Sequence, residues 1–419
     1  MRRILSLLLA VLAFQASAQT DSLQLNIKQA EALFLKQNYD LIAAGFQIDQ
    51  AKAEIITARL FDNPELNYEN LFYNHETKKF FQTSYADGQY AASISQLFKL
   101  AGKRNKNIKL AQIGSKLAEI SYFDLMRSLK FALNSTFYEA CFTAQSLNIY
   151  QSQIAATTRL LKEYELQQKA GNIAIKDVIR IKSLLLNLKA EWNDTLNNLE
   201  DKYRDLKILC GLNAATPLKL VFSQPDGQTN IEALPYQSLL DSARTNRADL
   251  KLSQANLEYQ TMNLKLQKAM AIPDVELSLS YDYKGNYPEK YTGLGIKIPI
   301  PLFNRNQGEI KKATIGISAA ENTIKQQELQ LENEVFNTYK TLVRNEQLVK
   351  DTDPDFGSSF DKLIEGLIKN FRLRNISLIE FLDLFDSYKE NTLRLNKLQL
   401  DKMNARAEMN YVTGTTIFK

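Results

Sequence analysis

The sequence predicts a mainly α chain with a small membrane β part, built from a duplicated helix–strand–strand–helix–helix unit. Three observations carry that prediction. Landmarks recur at a spacing of about 200 residues. Two stretches in each copy alternate apolar and polar residues with the period of a strand. The segments between them run for dozens of residues with few breakers, since the 419 residues hold only 15 Gly and 9 Pro.

The duplication is read from four landmarks in one order. Asn38-Tyr39-Asp40-Leu41 ahead of Asn63-Pro64-Glu65-Leu66 matches Arg247-Ala248-Asp249-Leu250 ahead of Ile272-Pro273-Asp274-Val275, an offset of 209. Gln96-Leu97-Phe98 with its basic cluster matches Pro301-Leu302-Phe303-Asn304-Arg305-Asn306. Gly171-Asn172-Ile173 through Asp177 matches Arg374-Asn375-Ile376 through Glu380, and Leu209-Cys210-Gly211 matches Val412-Thr413-Gly414, both at an offset of 203. The expected organisation is a first repeat over 19–214, a linker over 215–235 and a second repeat over 236–419.

Within the copies, first helices are expected from Gln24 to Arg59 and from Tyr236 to Met270, each stopped by the following Pro64 or Pro273. Strands are expected over 64–73 and 89–98, then over 273–283 and 291–300. The alternation is strongest in Val275, Leu277, Leu279, Tyr281 and Tyr283 against Asp274, Glu276, Ser278, Ser280 and Asp282. The Gly285-Asn286-Tyr287-Pro288 turn follows. Helices are expected over 103–169 and 174–209, and over 304–350 and 358–411, with Thr352-Asp353-Pro354 and Gly357 interrupting the second copy. The 103–169 helix alone would be a rod of about 100 Å, with Leu110, Ile113, Leu117 and Ile120 at coiled-coil spacing.

Residues 1–18 read as a secretory signal peptide: Arg2 and Arg3, an apolar run from Ile4 to Phe14, then Ala16-Ser17-Ala18. No later stretch is long and apolar enough for a transmembrane helix, so the exported chain is either soluble or crosses a membrane by β-strands. The formal net charge of +5 includes those two arginines, and the remaining charges are spread out, without the basic patches of a nucleic-acid binder. His75 is the single histidine, which argues against His-ligated metal and Ser/Cys–His catalysis. No nucleophile–base set, metal cluster, cofactor site or phosphate loop is found, so no catalytic residue is assigned. Cys141 and Cys210 read as small buried side chains and Trp192 as packing; the Lys103-Arg104-Asn105-Lys106 cluster reads as a solvated helix start.

Strands of about ten residues have the length of tilted membrane strands. If they lie in a membrane, four cannot close a barrel, because the smallest uses eight, so chains must pool them, and a dimer and a trimer both satisfy this rule; the alternative is a four-stranded soluble sheet packed on helices.

In their order within the duplicated frame, Asn63-Pro64-Glu65-Leu66, Ile272-Pro273-Asp274-Val275, Gly293-Leu294-Gly295-Ile296 through Pro301-Leu302-Phe303, and Phe371-Arg372-Leu373-Arg374-Asn375-Ile376-Ser377 resemble the TolC family of outer-membrane efflux proteins. The likeness is nearest to the heavy-metal cation branch. The resemblance implies a homotrimer with a 12-stranded β-barrel in outer-membrane lipid, continuing into a long periplasmic α-helical barrel. It implies docking to a periplasmic adaptor and an inner-membrane pump, typically of the resistance–nodulation–division type. It also implies an entrance ringed by Asp177, Glu380 and Asp383, and adaptor-contacting tips at Gly171, Asn172, Arg374 and Asn375. Asp274, Glu276 and Asp282 are expected to face the lumen, with Leu277, Leu279 and Tyr281 toward lipid. Two other readings stay open: the outer component of a type I protein secretion system, which the sequence alone hardly separates from efflux, and a periplasmic coiled-coil scaffold or adaptor without a pore.

Overall fold

The computed structural model describes residues 22–222, 235–285, 288–352, 366–373 and 375–418. The 1–18 leader, most of the 215–235 linker, Pro354, Gly357 and Arg374 lie outside the described residues. In chain order the elements are β1 (Leu23–Leu25), α1 (Ile27–Gln37), α2 (Tyr39–Arg59), β2 (Glu65–Asn70), β3 (Tyr73–Asn74), β4 (Lys79–Phe80), β5 (Tyr90–Phe98), α3 (Lys103–Lys169), α4 (Ile175–Leu209) and β6 (Leu218–Leu220). The second copy supplies α5 (Tyr236–Asn246), α6 (Ala248–Met270), β7 (Val275–Asp282), β8 (Tyr291–Lys297), α7 (Gln307–Lys350) and α8 (Leu378–Thr413). A further segment is helical over 366–372. Among the described residues no helix is long and apolar enough to cross a membrane.

Two compact units emerge. The strand-bearing unit comprises 43–124 and 248–330. Its sheet has the order β2-β5-β7-β8 and is antiparallel throughout, so strands of the two copies pair through β5 and β7. The register aligns like with like. Leu66, Ile94, Leu279 and Leu294 form one row across all four strands, and Tyr68, Ala92, Tyr281 and Thr292 form the next on the same face. The opposite face carries Glu65, Ser95, Ser278 and Gly295, then Asn67, Ser93, Ser280 and Gly293. A one-residue slip would exchange these faces, so the pattern pins the register. The apolar row is exposed, from Ile94 at 48% to Leu66 at 78%. A Cβ at Gly293 would fall 2.5 Å from the Tyr291 ring, so the tyrosine lies across the space that glycine leaves on the edge strand.

Below the strands, Lys103, the first residue of the supposed solvated basic cluster, proves to be a buried anchor, while Asn105 is exposed and Arg104 and Lys106 are half-buried. Lys103 is only 5% exposed; its Nζ bonds Asp274 Oδ1 at 2.7 Å and the Ile272 carbonyl at 2.6 Å. Asp274 Oδ1 also accepts from the Leu100 N–H at 2.8 Å. Arg104 donates twice to the Arg59 carbonyl and stacks 4.1 Å over the Phe61 ring. A buried ammonium demands a paired carboxylate, which the strand entry supplies across the copies.

The helical unit comprises 1–42, 125–247 and 331–419 where described. Its first helices correct the expectation of single helices over 24–59 and 236–270. Both are broken at the repeated landmark, by Asn38 (φ −68°, ψ 120°) and Arg247 (φ −61°, ψ 126°). Asn38 is buried; its Oδ1 accepts from the Leu41 N–H at 3.0 Å and its Nδ2 donates to the Leu209 carbonyl at 3.0 Å, satisfying backbone groups that the break frees. In the second copy Arg247 is buried and bonds Glu334 at 2.6 Å. Each break is met by the left-handed glycine ending its copy. A Cβ on Gly211 (φ +64°) would meet the Gln37 carbonyl oxygen at 2.5 Å, and one on Gly414 (φ +67°) would meet the Asn246–Arg247 peptide at 3.1–3.3 Å. Glycine is needed there for both the backbone angle and the close approach.

Other departures are local. The parallel β1–β6 ladder was not anticipated, nor was the small β3–β4 hairpin inside the first copy's long strand connection. The expected 358–411 helix is interrupted before Ser377, whose side chain caps α8 by accepting from the Glu380 N–H. Cys141 and Cys210 are buried free thiols.

Two predictions follow from this packing. Burial pushes the Cys141 thiol up to about 12 and the Cys210 thiol up to about 11. Iodoacetamide at pH 8 will therefore leave both unlabelled in the folded protein and label both in denaturant; rapid native labelling contradicts the burial. Lys103→Met leaves the Asp274 carboxylate half-stranded and costs about 3 kcal/mol, read as a lower thermal midpoint in detergent. An unchanged midpoint rejects the anchor.

Candidate channel entrance and lumen wall

Two helix reversals shape one end of the helical unit. At the first, Gly171 (φ +78°) follows α3, and the N–H groups of Gly171 and Asn172 bond the carbonyls of Gln168 and Gln167. The Asn172 side chain donates to Gln167 Oε1 at 2.9 Å. At the second, Asn375 N–H bonds the Asn370 carbonyl at 2.9 Å, and Ser377 starts α8. Glycine and asparagine at such turns are sufficiently explained by helix reversal, and both asparagines are also exposed.

An apolar cluster holds α3, α4, the 366–372 segment and α8 together behind these turns. It contains Tyr150, Leu160, Ile181, Leu188, Leu367, Phe371, Phe381 and Phe385, with Trp192 packed against it. Tyr164, Phe371, Phe381 and Phe385 stack in sequence, the closest pair with ring centroids 4.3 Å apart. Ion pairs brace the cluster: Lys389 to Glu191 at 3.0 Å, Arg372 to Glu163 at 2.8 Å and Lys182 to Glu165 at 2.8 Å. Burial acting alone would lower the Lys389 ammonium, but its hydrogen bond to Glu191 and the charges of Glu191 and Asp386 outweigh this and raise it.

Glu380 and Asp383 are exposed, on the side of α8 away from Phe381 and Phe385. Asp177 sits in the first turn of α4, half-buried beside Val178. The α8 carboxylates thus share a solvent face, whereas Asp177 lies at the margin of the core. Several exposed apolar residues surround these tips and were not singled out from the sequence: Ile175, Ile179 and Leu186 on α4, and Leu373 and Ile379 at the second turn. Their signal was available, since they fall outside the stripe of Val178, Ile181 and Leu188 that meets the core.

Of the three strand carboxylates, Asp274 is engaged by Lys103 at the strand entry. Glu276 lies on the serine–glycine face and pairs with Lys297 at 3.0 Å. Asp282 shares that parity, and its Oδ1 accepts from the Gly285 N–H at 2.7 Å, closing the turn.

The Lys389–Glu191 pair yields a signed prediction. A raised lysine stabilises the fold fully below the ordinary lysine value and loses that contribution as pH climbs through the raised value. Lys389→Met should lower the thermal midpoint at pH 7 by the equivalent of about 1 kcal/mol, with a gap that narrows as pH climbs past the ordinary lysine range. A gap independent of pH argues against the ionic role.

Comparison with known proteins places this geometry. Residues 239–350 match the family model described as Outer membrane efflux protein. The cobalt-zinc-cadmium resistance protein CzcC of Cupriavidus metallidurans is 23% identical over 327 residues, covering 77% of this chain and 73% of that protein. Among solved structures, the Campylobacter jejuni CmeC outer membrane channel superposes with a TM-score of 0.75 at 14% identity, covering 94% of this chain and 86% of that one. CusC superposes with a TM-score of 0.73 at 16% identity, covering 96% and 95%. The four-stranded sheet and the paired helical copies share the TolC-like fold of these solved outer-membrane channels, and residues 239–350 match the outer membrane efflux protein family.

Proposed function

We propose that three copies of this chain assemble into an outer-membrane duct, with their sheets joined in a 12-stranded barrel and their helices in a periplasmic tunnel. The chain itself is an outer-membrane efflux channel subunit of a tripartite system, without enzymatic activity. The observation that carries the assembly is the sheet: an exposed apolar face, a face of serine, glycine and carboxylate, and two unpaired edges at β2 and β8. Hydrocarbon accepts the first face, water the second, and neither accepts the edges. Edge β8 of one chain meeting edge β2 of the next satisfies both. A coiled-coil scaffold without a pore gives no role to the apolar rows.

In this reading the tips at Gly171–Asn172 and Arg374–Asn375 meet a periplasmic adaptor, the membrane fusion protein, and the exposed Ile175, Ile179 and Ile379 supply apolar contact area. An inner-membrane pump of the resistance–nodulation–division type drives transport, and the duct is passive. The relative named for cobalt, zinc and cadmium resistance supports divalent metal cations as cargo. Glu380 and Asp383, exposed on one face of α8, and Asp177 near the start of α4 would ring the entrance in each copy. Fixed carboxylates at a constriction raise local cation concentration and repel anions.

Reconstituted wild-type protein should conduct with cation preference. Glu380→Gln with Asp383→Asn should reduce the potassium-to-chloride permeability ratio by about threefold while single channels still form. An unchanged ratio in folded, conducting variants removes these residues from the entrance and leaves the duct itself standing.

A further inference from the structure

Helices α2, α3, α6 and α7 all join the sheet at one end, and both strand connections lie at the other. At the helix end four segments distant in sequence form one collar within the strand-bearing unit. Lys99 bonds Asp62 at 2.9 Å, and Arg104 donates to the Arg59 carbonyl. Lys103 ties these segments to Ile272 and Asp274, and the Asn306 side chain donates to the Gln267 carbonyl at 2.8 Å.

The collar is far more basic than the chain that carries it. Residues 59–62, 99–109, 265–274 and 304–312 hold eleven lysines and arginines against three carboxylates, whereas the whole chain is only +5. Each of those carboxylates is taken: Asp62 by Lys99, Asp274 by Lys103 and Glu309 by Lys312. Arg104 and Lys106 bond neutral carbonyls, which leaves their charge uncompensated. Arg59, Lys109, Lys265, Lys268, Arg305 and Lys311 are exposed and have no ion-pair partner among the described residues. Beside this charge runs a belt of exposed apolar side chains. Ile298 and Ile300 continue the alternation of Leu294 and Ile296 past the end of β8, and Leu302 and Phe303 follow, Phe303 being 92% exposed.

We propose that the collar binds anionic phospholipid, with acyl chains against Ile298, Ile300 and Phe303 and phosphate headgroups against Lys265, Lys268, Arg305 and Lys311. An apolar surface that passes directly into a positive rim matches the boundary between hydrocarbon and anionic headgroups. A nucleic acid or an acidic protein would use the charge and leave the apolar belt idle. This assignment rests on the duct reading, with the sheet in the outer membrane and the helices in the periplasm, which sets the collar at the inner leaflet.

The test uses the full chain in phosphatidylcholine liposomes, with Phe303→Trp as reporter and brominated lipids as contact quenchers. Emission from Trp192, packed in the helical unit, is measured without the reporter and subtracted. Brominated phosphatidylglycerol and brominated phosphatidylcholine share their acyl chains and differ in headgroup charge. At Phe303→Trp the anionic lipid should quench as a ligand bound about tenfold more tightly than the zwitterionic one. Lys265→Gln, Lys268→Gln, Arg305→Gln and Lys311→Gln together remove half of the excess charge and should cut that preference to about threefold. Sodium chloride at about 0.5 M should weaken it as well. Leu294→Trp, on the sheet's apolar row, reports on the duct reading alone, since both brominated lipids quench it when the sheet lies in lipid. Quenching there with no headgroup preference at Phe303→Trp overturns this proposal and leaves the duct standing. A preference unmoved by the four substitutions and by salt does the same. Quenching at neither position overturns both readings. If the glutamine variant fails to fold, the lipid and salt series on the reporter protein decides alone.

Discussion

A strand edge in hydrocarbon exposes a column of N–H and C=O groups with no water to bond, at a cost of several kcal/mol for each pair. The rest of this structure is arranged around that constraint. One chain contributes four strands whose central pair joins the two sequence copies, and β2 and β8 are left as edges. The exposed row of Leu66, Ile94, Leu279 and Leu294 belongs in an apolar medium, while the serine–glycine rows behind it belong in water. In the proposed trimer, a sheet so divided forms an arc of a larger closed wall. At the strand entry, a lysine that opens the first copy's long helix is neutralised by an aspartate just ahead of the second copy's strand.

Most of the strand and helix plan was legible in the sequence because each signal is local. Period two marked β7 and β8, proline marked the strand entries, and the lack of breakers marked α3 and α4. The break within the first helices was not legible, although the landmark that marks it was. Asn38 and Arg247 stand in runs with helical periodicity, and their role comes from partners far along the chain: the Leu209 carbonyl for one and Glu334 for the other. The repeated glycines showed the same limit. Gly211 and Gly414 were visible as matched positions, but their close approach to the breaks is a tertiary fact. The basic cluster at Lys103 failed in the other direction, because four polar residues in a row suggest solvent unless the partner 171 positions away is known.

The candidate entrance was only partly readable. Spacing placed Glu380 and Asp383 on one helical face, and they do share a solvent-facing side. Asp177, matched by repeat position, lies beside Val178 at the core margin, so positional equivalence did not secure equivalent surroundings. The aromatic stack joins Tyr164 of α3 to Phe371, Phe381 and Phe385 about 200 residues later, a pairing that no local window reveals. That stack and its ion pairs give the tip a core of its own, which lets the surrounding carboxylates and apolar residues remain available for partners.

The account stands on the claim that four strands from one chain close only with those of sister chains. Native mass spectrometry of the full-length protein, released from detergent micelles in the gas phase, measures this directly. The account predicts a particle of three chains that is recovered from membranes only with detergent. A single chain that stays monodisperse in plain buffer would contradict it.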